Sequence, residues 1–165
     1  MPTRTTEILL NSPEETDGLG QALAAFAKPG LCVLLSGEIG AGKSHLARAT
    51  IRKLLSEVGL YDDIPSPTFT LVQTYQAGSL DIWHADLYRL GSADELVELG
   101  LDEAFDTAFC LVEWPDRLGD IAPQDALSIH LQASEIADQH ICQISATDIA
   151  LVAKLAQFSP ESTHV

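Results

Sequence analysis

Residues 34–49 read LLSGEIGAGKSHLARA, and the fold follows from how that stretch divides. Its start belongs to the apolar run Leu31-Cys32-Val33-Leu34-Leu35, the pattern of a strand covered on both faces of a sheet. Its end opens a helix: Ala47, Ile51, Leu54, Leu55 and Val58 recur at helical spacing, and Gly59 stands where a C-terminal stop belongs. Between them, Gly37-Glu38-Ile39-Gly40-Ala41-Gly42-Lys43-Ser44 matches G-x-x-x-x-G-K-[ST]. Glycines in such a loop let the backbone curl until successive N–H groups face phosphate oxygens, and the helix N-terminus adds its positive end. Lys43 is then placed to bridge the β- and γ-phosphates, and the Ser44 hydroxyl to ligate Mg²⁺. Nucleotide contacts are expected from Gly37 through His45, although the His45 side chain itself reads as a packing or surface group. Kinases, motors, switches and partner-loading ATPases all use such a cradle, so what happens to the phosphate must be read elsewhere.

Outward from the loop, strand and helix patterns alternate. Thr5–Leu10 reads as a short strand. Ser12, Pro13 and Glu15 form a helix start of capping-box type, with Leu19, Leu23 and Phe26 as its apolar face. Thr70–Gln76 and Leu80–Arg89 read as strands of a hairpin turning at Ala77-Gly78-Ser79. "SADE" (Ser92 to Glu95) predicts a second capping box, and "FCLVEW" (109–114) a buried strand. "ALSIHLQ" (126–132) and "HICQISA" (140–146) alternate as late strands, and Asp148–Phe158 has the pattern of a closing amphipathic helix. With no repeat, low-complexity tract or Pro/Gly-rich linker, the expectation is one domain over 1–165. Its predicted class is α/β: a three-layer P-loop NTPase-like fold, with a mixed, mostly parallel sheet and helices on both faces.

A Mg²⁺-nucleotide site needs a carboxylate at the end of a neighbouring strand, holding the metal directly or through water. Glu113 ends the run Phe109-Cys110-Leu111-Val112, a Walker B arrangement with Glu for the usual Asp. Asp86 ends the strand-like part of "DIWHADLYR". Both read as catalytic candidates, with Glu113 and Ser44 as the metal pair. "PSPTF" (65–69) can form a switch loop, with Thr68 offering a hydroxyl to the metal or the γ-phosphate; a stiffened connection is the plainer reading of the same residues. His84 reads mainly as a strand residue, though it stands near Asp86. Arg89 and Trp114 could serve the nucleotide or merely the surface and a groove.

Nine Lys plus Arg against 24 Asp plus Glu make a formal charge of −15. Phosphate backbones repel such a chain, so direct nucleic-acid binding is not expected and any RNA should be held by a partner. The longest apolar run, Ala22 to Ala27, is six residues, too short for a membrane span. MPTRTTEILL lacks a signal peptide's apolar core, and a cytoplasmic location is expected. Cys32, Cys110 and Cys142 lie in apolar or alternating runs without a CxxC pair, as for reduced buried thiols.

Three function classes separate on these residues. A small-metabolite kinase would clamp its acceptor with several basic residues, yet only Lys43 and Arg89 have an evident claim on the site. A GTPase should carry an NKxD-type guanine reader, which the sequence lacks. A slow ATP-driven switch acting on another protein remains, as an ATPase or as an adaptor that senses ATP by binding alone.

"GEIGAGKS", "SPTFTLVQTY", "HADLYRL", "ELVELGLDEAF" and "LVEWPDRLGDIAP" occur in this order. Together they resemble the bacterial TsaE (YjeE) family, ATPases of tRNA threonylcarbamoyladenosine biosynthesis, over roughly residues 10 to 130. The resemblance implies ATP with Mg²⁺, ADP as product, and docking on a TsaB–TsaD-type complex that carries the tRNA. There, slow partner-dependent hydrolysis resets the complex between turnovers. It implies that Gly37 to Ser44 hold the phosphates with Ser44 on the metal, that Thr68 lies in a switch-like loop, and that Asp86 and Glu113 match the family acids in D-L-Y-R and E-W. Family members commonly read GDLGAGKTT where this chain has GEIGAGKSH; Ser44 keeps the hydroxyl, and His45 does not.

Overall fold

The structure, a computed structural model, describes residues 3–61 and 63–157. In chain order the elements are β1 (Arg4–Leu10), α1 (Pro13–Ala24), β2 (Cys32–Ser36), α2 (Lys43–Ser56), β3 (Val72–Ala77) and β4 (Leu80–Asp86). There follow α3 (Asp94–Leu99), α4 (Leu101–Thr107), β5 (Phe109–Glu113), a 3-10 helix over Pro115–Ile121, β6 (Leu127–Ala133), β7 (His140–Ala146) and α5 (Ile149–Ala156). Every pattern read as a helix or strand has a counterpart, with the ends shifted by a few residues.

The seven strands form one sheet in the order β1-β7-β6-β2-β5-β4-β3. β6, β2, β5 and β4 run parallel at its centre. β7 lies antiparallel to β6, β1 to β7, and β3 to β4. The sheet is mixed as expected: five of the seven strands, β1 included, point the same way, while three of the six pairings are antiparallel. The β3–β4 and β6–β7 pairs are joined by short connections, and a tight turn can join only antiparallel neighbours, whereas β1 meets β7 from the far end of the chain.

Alternate residues of the central strands feed two apolar layers. Val33, Leu35, Ile82, Phe109 and Leu111 pack with Leu19, Leu46, Ile51 and Leu155, under α1, α2 and α5. Cys32, Ala85, Cys110 and Val112 pack with Leu96, Leu101 and Phe105, under α3 and α4. β5 is buried along its whole length, as a strand covered on both faces must be. α1 lies close on α2 at Gly20, where a Cβ would sit 2.7 Å from the Ala49 Cβ. Among the described residues no helix is long and apolar enough to cross a membrane.

The helix ends show where local patterning and packing part. Ser12 caps α1 by accepting the Glu15 N–H at 3.2 Å. Glu15 instead reaches past the cap and accepts the N–H of Asn11, so the expected box is offset by one residue. Phe26 falls beyond α1 and Val58 beyond α2; Val58 is exposed because the chain has already left the helical path. Gly59, at φ +79°, closes α2: Leu60 N–H donates to Leu55 C=O and Gly59 N–H to Ser56 C=O, the pairing of a Schellman stop. In "SADE" only half the box forms. Glu95 accepts the N–H groups of Gly91 and Ser92, but Ala93 is the cap residue and no side chain caps α3. The hairpin strands are shorter than their patterns, because Leu71 takes φ +67° and the chain turns after Asp86. Asp148 caps α5 through the Leu151 N–H, and Phe158 lies outside the described residues.

All three cysteines are buried and free. Burial raises their thiol pKa values, to about 12 for Cys110 and Cys142, so they are poor thiolate nucleophiles.

Candidate active site

The central strands end side by side, and their carboxyl ends supply the site. Leu35 and Asp86 both stand opposite Glu113 in the sheet register. The glycine-rich loop leaves β2 at this edge, and α2 begins directly after it. Ligands of open α/β sheets bind outside such strand ends, where neighbouring connections diverge.

Loop shape depends on Gly37. Its φ is +136°, and a Cβ there would lie 2.2 Å from the backbone oxygen of Leu131 on β6. No L-side chain fits without moving the loop off the sheet. We expect Gly37→Ala to lower both the melting temperature and nucleotide affinity; unchanged values for both would show that the loop relaxes freely.

Lys43, the first residue of α2, is buried, and its Nζ donates to the carbonyls of Gly37 (2.6 Å) and Glu38 (2.9 Å). The ammonium also lies 4.2 Å from the centroid of the Trp114 ring, within cation–π range. Burial pushes its pKa below the usual lysine value, while Glu113 and Asp86 pull it back up. Ser44 Oγ donates to Glu113 Oε1 at 2.7 Å, and Glu113 Oε2 faces His84 Nε2 at 2.6 Å. Asp86 Oδ2 accepts the Thr68 hydroxyl at 3.3 Å, and its Oδ1 accepts the Tyr88 N–H at 3.1 Å. Ser66 Oγ lies 3.0 Å from the Thr68 hydroxyl.

Lys43, Ser44, Thr68, Asp86 and Glu113 thus line one open cleft of about 420 Å³. Gly40, Gly42, Ile39 and His45 also border it, whereas Ala41 is buried beneath the loop. The His45 ring turns to Asp17 on α1 at 2.7 Å. Trp114, held at φ +60°, stands at the cleft with Tyr88, the ring centroids 5.0 Å apart. Exposed Arg89 lies over the Phe69 ring at 4.6 Å.

Arg48 and Tyr88 escape the sequence reading, and the sequence places His84 beside the wrong acid. Arg48 lines the cleft one helical turn after Ser44, and an i, i+4 step on α2 is the signal that would have found it. His84 joins Glu113 rather than Asp86, and only the pairing of β4 with β5 reveals this.

Among the described residues no group of three or more His, Cys, Asp or Glu side chains could hold a metal unaided. Hard oxygens are nevertheless in place, a serine hydroxyl beside a buried carboxylate. That donor set fits Mg²⁺, which is commonly held by one or two protein oxygens together with substrate phosphates.

Residues 10–141 match the family model described as Threonylcarbamoyl adenosine biosynthesis protein TsaE. A Rickettsia bellii protein named tRNA threonylcarbamoyladenosine biosynthesis protein TsaE is 37% identical over 145 residues, covering 88% of this chain and 98% of its own length. A Bacillus subtilis protein of the same name is 40% identical over 119 residues, 72% of each chain. The crystal structure of Bacillus subtilis YdiB is similar with a TM-score of 0.75, at 28% identity and 95% coverage of both chains.

Proposed function

This chain belongs to the TsaE family, and from that membership and the cleft we propose a role in tRNA threonylcarbamoyladenosine biosynthesis. In this reading it is a P-loop ATPase subunit that binds ATP with Mg²⁺, hydrolyses it slowly to ADP and phosphate, and acts on a TsaB–TsaD-type complex in the cytoplasm. The observation that carries the reading is Ser44 on Glu113, beside Lys43 at the root of a glycine-rich loop.

Each residue has work its position allows. The Lys43 ammonium leaves the Gly37 and Glu38 carbonyls for phosphate oxygens, exchanging neutral acceptors for charged ones. The Ser44 hydroxyl donates a hydrogen bond to Glu113, which leaves the serine oxygen lone pairs for a cation. Ser44, with Glu113 beside it, would hold a Mg²⁺ that would supply neutralisation of phosphate charge. Asp86 can orient or deprotonate a water, and Thr68, hydrogen-bonded to Asp86, links that acid to the loop over the cleft. Adenine over guanine rests on the missing NKxD reader. The charge of −15 favours a partner-borne tRNA over direct binding.

Phosphate release measured with and without the TsaB–TsaD pair tests the proposal. We expect slow turnover alone and clear stimulation by the pair. Fast turnover that the pair leaves unchanged would overturn it.

A further inference from the structure

His84 is 0% exposed on β4. It pairs in register with Leu111, so the pleat puts it on the same face as Leu111 and Glu113, diagonal to the carboxylate. Its Nε2 meets Glu113 Oε2 at 2.6 Å, while Nδ1 is buried without a partner. On that face Ile82 and Leu111 beside it are fully buried and apolar, while Asp86 two residues on and Gln73 opposite on β3 are polar but make no hydrogen bond to its ring. An imidazole here leaves one ring nitrogen unsatisfied, which disfavours folding relative to an apolar side chain of similar shape. Packing therefore does not call for histidine at this position. The one polar service it performs is a hydrogen bond to Glu113.

Glu113 is 1% exposed, and both of its oxygens are engaged, one by His84 and one by Ser44. An ionised carboxylate only accepts, so His84 presents a proton on Nε2. Together the two donors fix a side chain that otherwise turns about several bonds. The fixed Oε1 in turn draws the Ser44 proton toward itself, which leaves the serine lone pairs directed elsewhere.

We propose that His84 is a positioning residue: through Glu113 it orients the Ser44 hydroxyl for a nucleotide-borne divalent cation, and so sets the coupling between Mg²⁺ and nucleotide binding. The proposal rests on the nucleotide reading above. Groups that hold a metal's ligands in place typically change its affinity by about 10–100-fold when removed.

The test is ADP affinity by calorimetry, with MgCl₂ and with EDTA, in wild type, His84→Phe and His84→Gln. The ratio of the two dissociation constants measures the coupling, independently of turnover. In His84→Phe that ratio should fall about tenfold, with affinity in EDTA retained. Glutamine can extend an N–H to a similar reach, and His84→Gln should restore most of the ratio. A wild-type ratio in His84→Phe, or a His84→Gln ratio as low as that of His84→Phe, would overturn the proposal. If the phenylalanine variant does not fold, His84→Asn, whose N–H falls short of Glu113, replaces it; equal ratios for asparagine and glutamine would then overturn it. A ratio near one in wild type would overturn the coupling and with it the proposal, whereas absence of ADP binding by wild type in both conditions would overturn the nucleotide reading itself.

Discussion

Lys43→Ala is expected to weaken ATP binding by about two orders of magnitude or more. The ammonium is buried and held by the carbonyls of Gly37 and Glu38, neutral acceptors that it exchanges for charged phosphate oxygens on binding. Hydrogen bonds to charged groups contribute about 1.5–3 kcal/mol each. Two such bonds to phosphate oxygens correspond to a hundredfold or more, at about 1.4 kcal/mol per tenfold. Alanine removes them together with the contact to Trp114. The fold should survive, since Lys43 lies at the N-terminus of α2 and the helix is anchored by Leu46, Ala47, Ile51 and Leu55. Calorimetric titration alongside a melting curve checks both statements. A folded variant that binds ATP like wild type would remove Lys43 from the site.

Asp86→Asn should separate chemistry from binding. The carboxylate is nearly buried and receives the Thr68 hydroxyl and the Tyr88 N–H on different oxygens. Asparagine keeps the size and one acceptor but loses the charge and the basicity. Proton transfer by a positioned side chain contributes about 10²–10⁴-fold, so turnover in the presence of the TsaB–TsaD pair should fall by that order. ATP affinity should stay near wild type. Glu113→Ala differs in kind: it leaves His84 without its sole hydrogen-bond partner and destabilises the fold by about 1–3 kcal/mol. Wild-type hydrolysis by Asp86→Asn would exclude it from activating water.

What could be read in advance divides by the range of the interaction. The loop from Gly37 to Ser44, the strand before it and the helix after it are contiguous, and their periodicities are strong. Asp86 and Glu113 were legible one at a time, each as an acid ending an apolar strand. Their shared cleft was an inference from chemistry, because 26 residues of chain lie between the paired positions. Ser92 marks the opposite limit. Its sequence pattern is that of a cap, but α3 starts after Ala93, and helix ends are set by packing as much as by capping residues.

By itself the sequence determined a glycine-rich loop between a buried strand and an apolar-periodic helix, a mixed sheet with helices, and an acidic composition. Those properties reside in local spacing and in composition. Strand order was decided by the tertiary structure alone, with β5 between β2 and β4, and with it the pairing of Glu113 to Ser44 on one side and His84 on the other. Periodicity tells which face of a strand is buried, but not which strand lies beside it. That choice depends on how two apolar layers close around the whole sheet.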